Sequence, residues 1–222
     1  MSFILSIDTA VVSASVCLSE GAEIRAVKKS SETGESAAWL HVAMQQLFQE
    51  QGLSMNQIVA VAVSAGPGSY TGLRIGMATA KGLCYALRIP LITINTLHMM
   101  AAAAPAELTN LLCPMIDARR MEVFTALYTN GLKELMPAQA LILNNNSFTE
   151  ILETKTITFF GNGSAKFQAI MQHPNAVFKT IEANATHVAR LAYEAYKEGK
   201  IADLAYSEPF YGKEFYSPAR KH

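Results

Sequence analysis

The sequence predicts an α/β protein of two duplicated lobes, each a mixed sheet flanked by helices. Three observations lead there. Short apolar runs with strand-like alternation are interleaved with longer runs of helical period. The order strand meander, helix, strand, glycine turn, helix occurs twice along the chain. Each half opens on an apolar strand that ends in an aspartate, Asp8 in the first and Asp117 in the second. Identity between the halves is weak, so the duplication rests on the order of the patterns.

The elements follow in order. Phe3 to Thr9, Ser13 to Ser19 and, after the Glu20-Gly21 turn, Ile24 to Lys28 read as three strands joined by short turns. Ser36 caps a helix from Ala37 to about Gln51. Ile58 to Ser64 is a fourth strand, and Ser69 caps a second helix running to about Arg88. Pro90 to Ile94 is a short fifth strand and Thr96 to Ala104 a third helix. The second half offers strands over Leu111 to Asp117, Glu122 to Tyr128 and Ala140 to Leu143, then a short helix over Ser147 to Glu153. The strand Ile157 to Phe160 runs into Gly161-Asn162-Gly163-Ser164 and a helix, and a last helix spans about Thr186 to Glu198. The boundary is placed near Pro105, giving a first lobe of 1–105 and a smaller second lobe of 106–222 whose last helix packs back on the first.

Composition excludes several function classes. A chain of 222 residues, half of them apolar, suffices for one large domain or two small ones. Lys plus Arg number 18, as do Asp plus Glu, which argues against a stand-alone nucleic-acid binder. Cys17, Cys84 and Cys113 lie in apolar segments without C-x-x-C spacing and read as reduced core thiols. No apolar run reaches the ~20 residues that span a bilayer, and Met1-Ser2 leads directly into the first strand. The expectation is a cytoplasmic protein.

The most informative stretch is Ser64-Ala65-Gly66-Pro67-Gly68-Ser69-Tyr70-Thr71-Gly72-Leu73-Arg74-Ile75-Gly76. A strand, a glycine turn and a helix start point backbone N–H groups outward, which is how phosphate is commonly held. Two well-known phosphate motifs fail here. After Gly72 comes Leu73-Arg74 where a P-loop needs Lys and Ser/Thr. The spacing from Gly68 to Gly72 is one residue too long for a dinucleotide fingerprint, and the next strand end, Thr93-Ile94-Asn95, lacks its acid. A plain tight turn is the competing reading. Ser69 is not the centre of a G-x-S-x-G elbow, because Gly72 is one place too far.

The duplicated layout with Asp-tipped strands resembles the actin-like ATPase superfamily (ASKHA, ribonuclease H-like fold), in which such hairpins and glycine turns surround a nucleotide between lobes. The strings Ile7-Asp8-Thr9-Ala10, Ala65 to Gly76 and Ala80-Lys81-Gly82-Leu83 resemble the TsaB (YeaZ) family more closely. The resemblance is strongest from residue 3 to about residue 120. It implies a partner subunit in bacterial synthesis of threonylcarbamoyladenosine on tRNA. The catalytic relative, TsaD, holds a metal through an H-x-x-x-H pair on the helix after the fifth strand, where i and i+4 share one face. The corresponding positions here are Thr96 and Met100, with His98 out of register, and the five His are scattered. The resemblance therefore implies a non-catalytic paralogue with no metal and no cofactor of its own.

The nucleotide-like turn comprises Asp8, Gly66, Pro67, Gly68, Ser69, Thr71 and Gly72. Asp8 either caps the Thr9-Ala10 turn or, in an active phosphotransferase, acts with Asp117 on metal and water. That phosphotransferase is the alternative function, and it needs an adenine pocket at Gly161 to Ser164. For a partner surface, Gly72, Gly76, Ala80 and Cys84 form a ridge of small residues, with Arg74, Lys81 and Tyr85 on neighbouring faces and Met77 beside it. A helix-interior Gly costs about 1 kcal/mol against Ala, which favours close approach by another backbone. The first helix carries a stripe of Ala37, Leu40, Met44 and Leu47, and Trp39, His41, Ala43 and Phe48 widen it beyond one face. The resemblance implies that these two helices pack on the same helices of TsaD, or on a second copy as a homodimer when alone. It also implies the ATPase TsaE as a further partner, and tRNA reached through the complex. The basic end, Lys213 with Arg220-Lys221-His222, is a candidate RNA contact or a solvated tail.

Overall fold

The structure, a computed structural model, describes residues 2–31 and 36–212. The expected cap at Ser36, the side chain of Ala37 and the basic end from Lys213 lie outside what is described.

Two five-stranded sheets share one topology. The first contains β1 (Phe3–Asp8), β2 (Ser15–Glu20), β3 (Glu23–Lys29), β4 (Ile58–Ser64) and β5 (Leu91–Ile94), in the order β3-β2-β1-β4-β5. The second contains β6 (Leu111–Asp117), β7 (Glu122–Tyr128), β8 (Glu134–Ile142), β9 (Ile157–Phe160) and β10 (Ala176–Phe178), in the order β8-β7-β6-β9-β10. Each is an antiparallel meander continued by two parallel strands. The duplication read from pattern order is thus a duplication of topology.

The helices are α1 (Ser36–Glu50), α2 (Tyr70–Leu87), α3 (Thr96–Ala101), α4 (Thr149–Leu152), α5 (Ser164–Gln168) and α6 (Ala185–Lys197). Strand alternation sends side chains to two cores. Leu5, Ile7, Val61 and Val63 face α1 and α2, together with Leu40, Met44 and Leu47. Ile4, Ala60 and Ala62 face the opposite way, toward Val188 and Ala192 of α6. The same core takes in Leu112, Ile116, Phe124 and Tyr128 of the second sheet, so both halves close on α3 and α6. A third core in the second half is aromatic, with Phe159 and Phe167 edge-on at 5.0 Å.

Two strands depart from expectation. β8 begins six residues before the predicted Ala140, because Glu134 and Pro137 hide it. It lies at the sheet edge, half exposed, where a missing N–H is tolerated. The three-residue β10 carries no pattern of its own and exists by pairing with β9.

Candidate functional site

β4 ends at Ser64 and α2 begins at Tyr70, with the glycine turn between them and the Gly66–Pro67 peptide cis. The glycines face this chain's own backbone. A Cβ added to Gly68 would stand 2.4 Å from the Ala10 carbonyl oxygen, and one on Gly72 would stand 1.9 Å from that of Thr9. Gly66, at φ +114°, would meet the Phe210 carbonyl oxygen at 2.0 Å. The Ser69 N–H donates to Ala10 O (2.8 Å), the Thr9 hydroxyl to Gly72 O (2.7 Å) and the Gly66 N–H to Thr96 Oγ1 (3.0 Å). Ser69 Oγ caps α2 by accepting from the Gly72 N–H at 3.2 Å. Thr71 is exposed in the first turn of α2. Three carbonyl oxygens therefore press on the glycines that a phosphate was expected to approach, and carbonyl lone pairs repel an anion. The turn is a packing joint, glycine-rich because backbone lies against it.

One side of that joint is a strap formed by residues 201–212. The Ala202 N–H donates to Leu91 O, and Phe210 N–H donates to Ala65 O at 2.7 Å. Lys81 Nζ donates to the carbonyls of Ala205 (3.1 Å) and Ser207 (3.0 Å). The Tyr211 ring lies 5.1 Å from that of Tyr70, and Arg74 donates from Nε to Tyr211 Oη at 3.2 Å while its guanidinium stands over Tyr70. Nothing local in the sequence announces the contacts of the strap, which join residues more than a hundred positions apart.

Asp8 is wholly buried at the end of β1. Its Oδ1 accepts from the Ser64 hydroxyl (2.6 Å) and the Ala10 N–H (3.0 Å), while Oδ2 has no partner. Burial raises its pKa from the usual 3.8 to about 6, against the lowering effect of those two bonds. The folded chain thus holds this proton more tightly than the unfolded chain. Stability rises as pH falls from about 6 toward 4 and is lost as pH rises through the same window, by about 3 kcal/mol in full. Asp8→Asn removes the ionisation and is expected to flatten this dependence, so that it gains on wild type between pH 5 and 7.5. Urea midpoints at the two pH values check this, and equal pH dependence in both proteins would contradict it.

Asp117, the matching carboxylate of the second lobe, is committed differently. Its Oδ1 accepts from Lys166 Nζ and from the Arg119 N–H (2.7 Å), and the Lys166 bond leads the effects holding its pKa below the usual value. Lys166 also donates to Arg120 O (2.8 Å) and Glu122 O (3.0 Å), which uses all three of its protons. Asn162 Oδ1 accepts the Asp117 N–H at 2.9 Å, so the 161–164 turn and the β6–β7 turn are joined. Asp8 is shut away from water by burial, whereas Asp117 stays partly exposed with its Oδ1 engaged by Lys166 and the Arg119 N–H. A cleft of about 640 Å³ does open between Val11–Ser15 and Gly161–Ser164, lined by hydroxyls and amides with Lys29, Lys179 and Glu182.

On α3, Thr96 is buried and accepts from Gly66 N–H, and Met100 is buried against Gly161. His98 stacks on Tyr128 at 5.4 Å, and burial lowers its pKa, so it is neutral at physiological pH. Among the described residues no three His, Cys, Asp or Glu side chains converge on a metal position. Burial pushes the Cys17 and Cys113 thiols up to about 12 and Cys84 to about 11, so none is an activated nucleophile. No helix of the described residues is long and apolar enough to cross a membrane.

Comparison with known proteins places this geometry. Residues 33–209 match the family model of TsaD, tRNA N6-adenosine threonylcarbamoyltransferase. The chain is 31% identical over 169 residues to the tRNA threonylcarbamoyladenosine biosynthesis protein TsaB of Bacillus subtilis, covering 73% of this chain and 72% of that one. It is 29% identical over 218 residues to TsaB of Escherichia coli, covering 94% and 93%. The chain belongs to the TsaB (YeaZ) family. Its fold matches YeaZ from Pseudomonas aeruginosa at a TM-score of 0.78 and 24% identity, over 95% of this chain and all of that one. The actin-like architecture is shared with the activator of 2-hydroxyisocaproyl-CoA dehydratase from Clostridium difficile, at a TM-score of 0.51.

The TsaB resemblance implied a partner surface on α1 and α2, and the structure corrects the residues chosen for it. Leu40, Met44, Phe48, Gly76, Met77, Ala80 and Cys84 are all buried inside this chain. The small-residue ridge lies on Thr9 and Val63, where a Cβ on Gly76 would come within 2.3 Å of Thr9 Oγ1. α1 has more than one apolar stripe because it is covered from two sides, by β2 and β3 and by α2. Lys81 is half-buried under the strap, and only His41 and Arg74 of that set are exposed. The open face of the pair is a different stripe: Ala38 and Val42 on α1, and Ala78, Gly82 and Tyr85 on α2. Tyr85 is 80% exposed and Val42 52%. Gly82 has nothing within 4 Å of its Cβ position, so it is the glycine of α2 with room for another backbone, whereas Gly76 is closed by Thr9.

Proposed function

We propose that this chain is the non-catalytic scaffold subunit of a tRNA threonylcarbamoyltransferase complex. It supports TsaD in forming threonylcarbamoyladenosine on tRNA, with TsaE as a further partner. The observation that carries the reading is the pair Thr96 and Met100. Where the catalytic relative has two metal-binding His, this chain has a hydroxyl bonded to Gly66 N–H and a buried thioether. The names of its relatives in B. subtilis and E. coli support the same process. The docking face is the open stripe of α1 and α2 in the first lobe, which pairs with a second copy when TsaD is absent. Three buried, protonated thiols suit a reducing, cytoplasmic setting.

An assay with threonylcarbamoyl-adenylate, tRNA and this chain alone is expected to yield no modified adenosine. Adding the cognate TsaD and TsaE is expected to restore it. Product from metal-loaded chain free of TsaD would overturn the reading.

A further inference from the structure

We infer that the β6–β7 turn is a preformed phosphate clamp, Arg119 and Arg120, for the sugar–phosphate backbone of the RNA substrate. This rests on the proposed role in tRNA modification. Arg119 and Arg120 are consecutive non-glycine residues in the left-handed region, at φ +69° and +48°. Left-handed backbone is ordinarily taken by Gly or Asn. Holding two arginines there is strained, and the strain is borne by bonds from another element. Lys166 of α5 bonds to Asp117, to Arg120 O and to Glu122 O, while Asp117 Oδ1 accepts the Arg119 N–H.

The bracing has two consequences. The turn is rigid, so its side chains are presented at little entropic cost. The nearby carboxylate, Asp117, is held chiefly by Lys166 with a smaller Coulombic contribution from Arg119, and neither guanidinium forms an ion pair among the described residues. Both arginines are exposed, in a chain whose overall charge is zero. Exposed guanidiniums not tied up in an ion pair suit phosphate oxygens, which they bind in a bidentate way. A third arginine, Arg74, is reached through the strap. Gly212 packs on Phe124 of β7 and on Pro67, and next to it Tyr211 meets Tyr70 and Arg74. Guanidinium and aromatic groups set together are the chemistry that single-stranded RNA meets in its binding proteins.

The test replaces Arg119→Asn together with Arg120→Gly, which installs residues that tolerate left-handed backbone and removes both charges. The variant is expected to melt at or above the wild-type temperature and to co-elute with TsaD as before. Filter binding of tRNA to the assembled complex, over a salt series, is expected to show affinity about tenfold or more weaker at 0.1 M salt. The slope of log affinity against log salt should become shallower by roughly 1.4 to 1.8, for two phosphates released. Arg119→Lys with Arg120→Lys should keep that slope. A folded Asn–Gly variant with unchanged affinity and slope overturns the inference. Loss of TsaD binding by that variant also overturns it, since the turn would then be a protein-docking surface. If the wild-type complex binds no tRNA, the proposed function falls as well; if only the variant comparison fails, this inference falls alone.

Discussion

Gly72→Ala is expected to leave this chain largely unfolded. The added Cβ would sit 1.9 Å from the Thr9 carbonyl oxygen, a distance no real contact allows. That carbonyl belongs to the β1–β2 connection, tied back to α2 by the Thr9 hydroxyl bond to Gly72 O. Relief would require moving α2 off β1 and β4, whose apolar residues are almost wholly buried. The expected loss exceeds about 4 kcal/mol, in the extreme tail for single substitutions, against a total stability of about 5–15 kcal/mol. Gly82→Ala, ten residues along the same helix with open space beside it, is the control and is expected to gain about 0.5–1 kcal/mol in helix propensity. Thermal melts followed by circular dichroism compare the three proteins. A Gly72→Ala melt within a few degrees of wild type would show that the glycine is not needed for close approach.

Gly82→Arg is expected to leave the isolated chain folded and to abolish docking on TsaD. The site lies on the open face of α2, between Ala78 and Tyr85, where a long charged side chain meets nothing in this chain. At a helix-to-helix contact the same side chain would hold the backbones apart and bury an unpaired charge. A loss of more than about hundredfold in affinity follows, about 2.8 kcal/mol at 1.4 kcal/mol per tenfold. The proposed self-paired dimer should be lost as well, which light scattering reads directly. Wild-type affinity in the folded variant would remove this face from the interface. Gly76→Leu would not test the question, because Gly76 lies against Thr9 and Val63 and the variant is expected to unfold.

The two substitutions separate what could be read locally from what could not. The strand–turn–helix unit at Ile58 to Leu87 was legible because apolar alternation, a glycine cluster and the Ser69 cap are all local signals. The same local signals could not tell which way the glycines faced. A glycine that admits a ligand and one that admits the chain's own carbonyl look identical in sequence, and the difference lies in Thr9, Ala10 and Phe210. Helix α1 misled in a related way. Its surplus of apolar residues was read as a surface awaiting a partner, yet β2, β3 and α2 already cover it from two sides. Strand β8 was legible only in part, since its Pro137 and charged first residue are tolerated by an edge position that sequence does not show.

By itself, the sequence determined most of the order of elements and the duplication of that order, which follow from residue type and short-range period, properties of the chain before it folds. The family followed from the resemblance of its strings, which the relatives bear out. Only the tertiary structure decided that the glycine turn is closed by the 201–212 strap, that Asp117 is tied to Lys166, and that the exposed stripe of α2 runs through Gly82 and not Gly76. Those outcomes depend on contacts between distant segments, where burial, hydrogen-bond satisfaction and excluded volume act between backbones that no local pattern brings together.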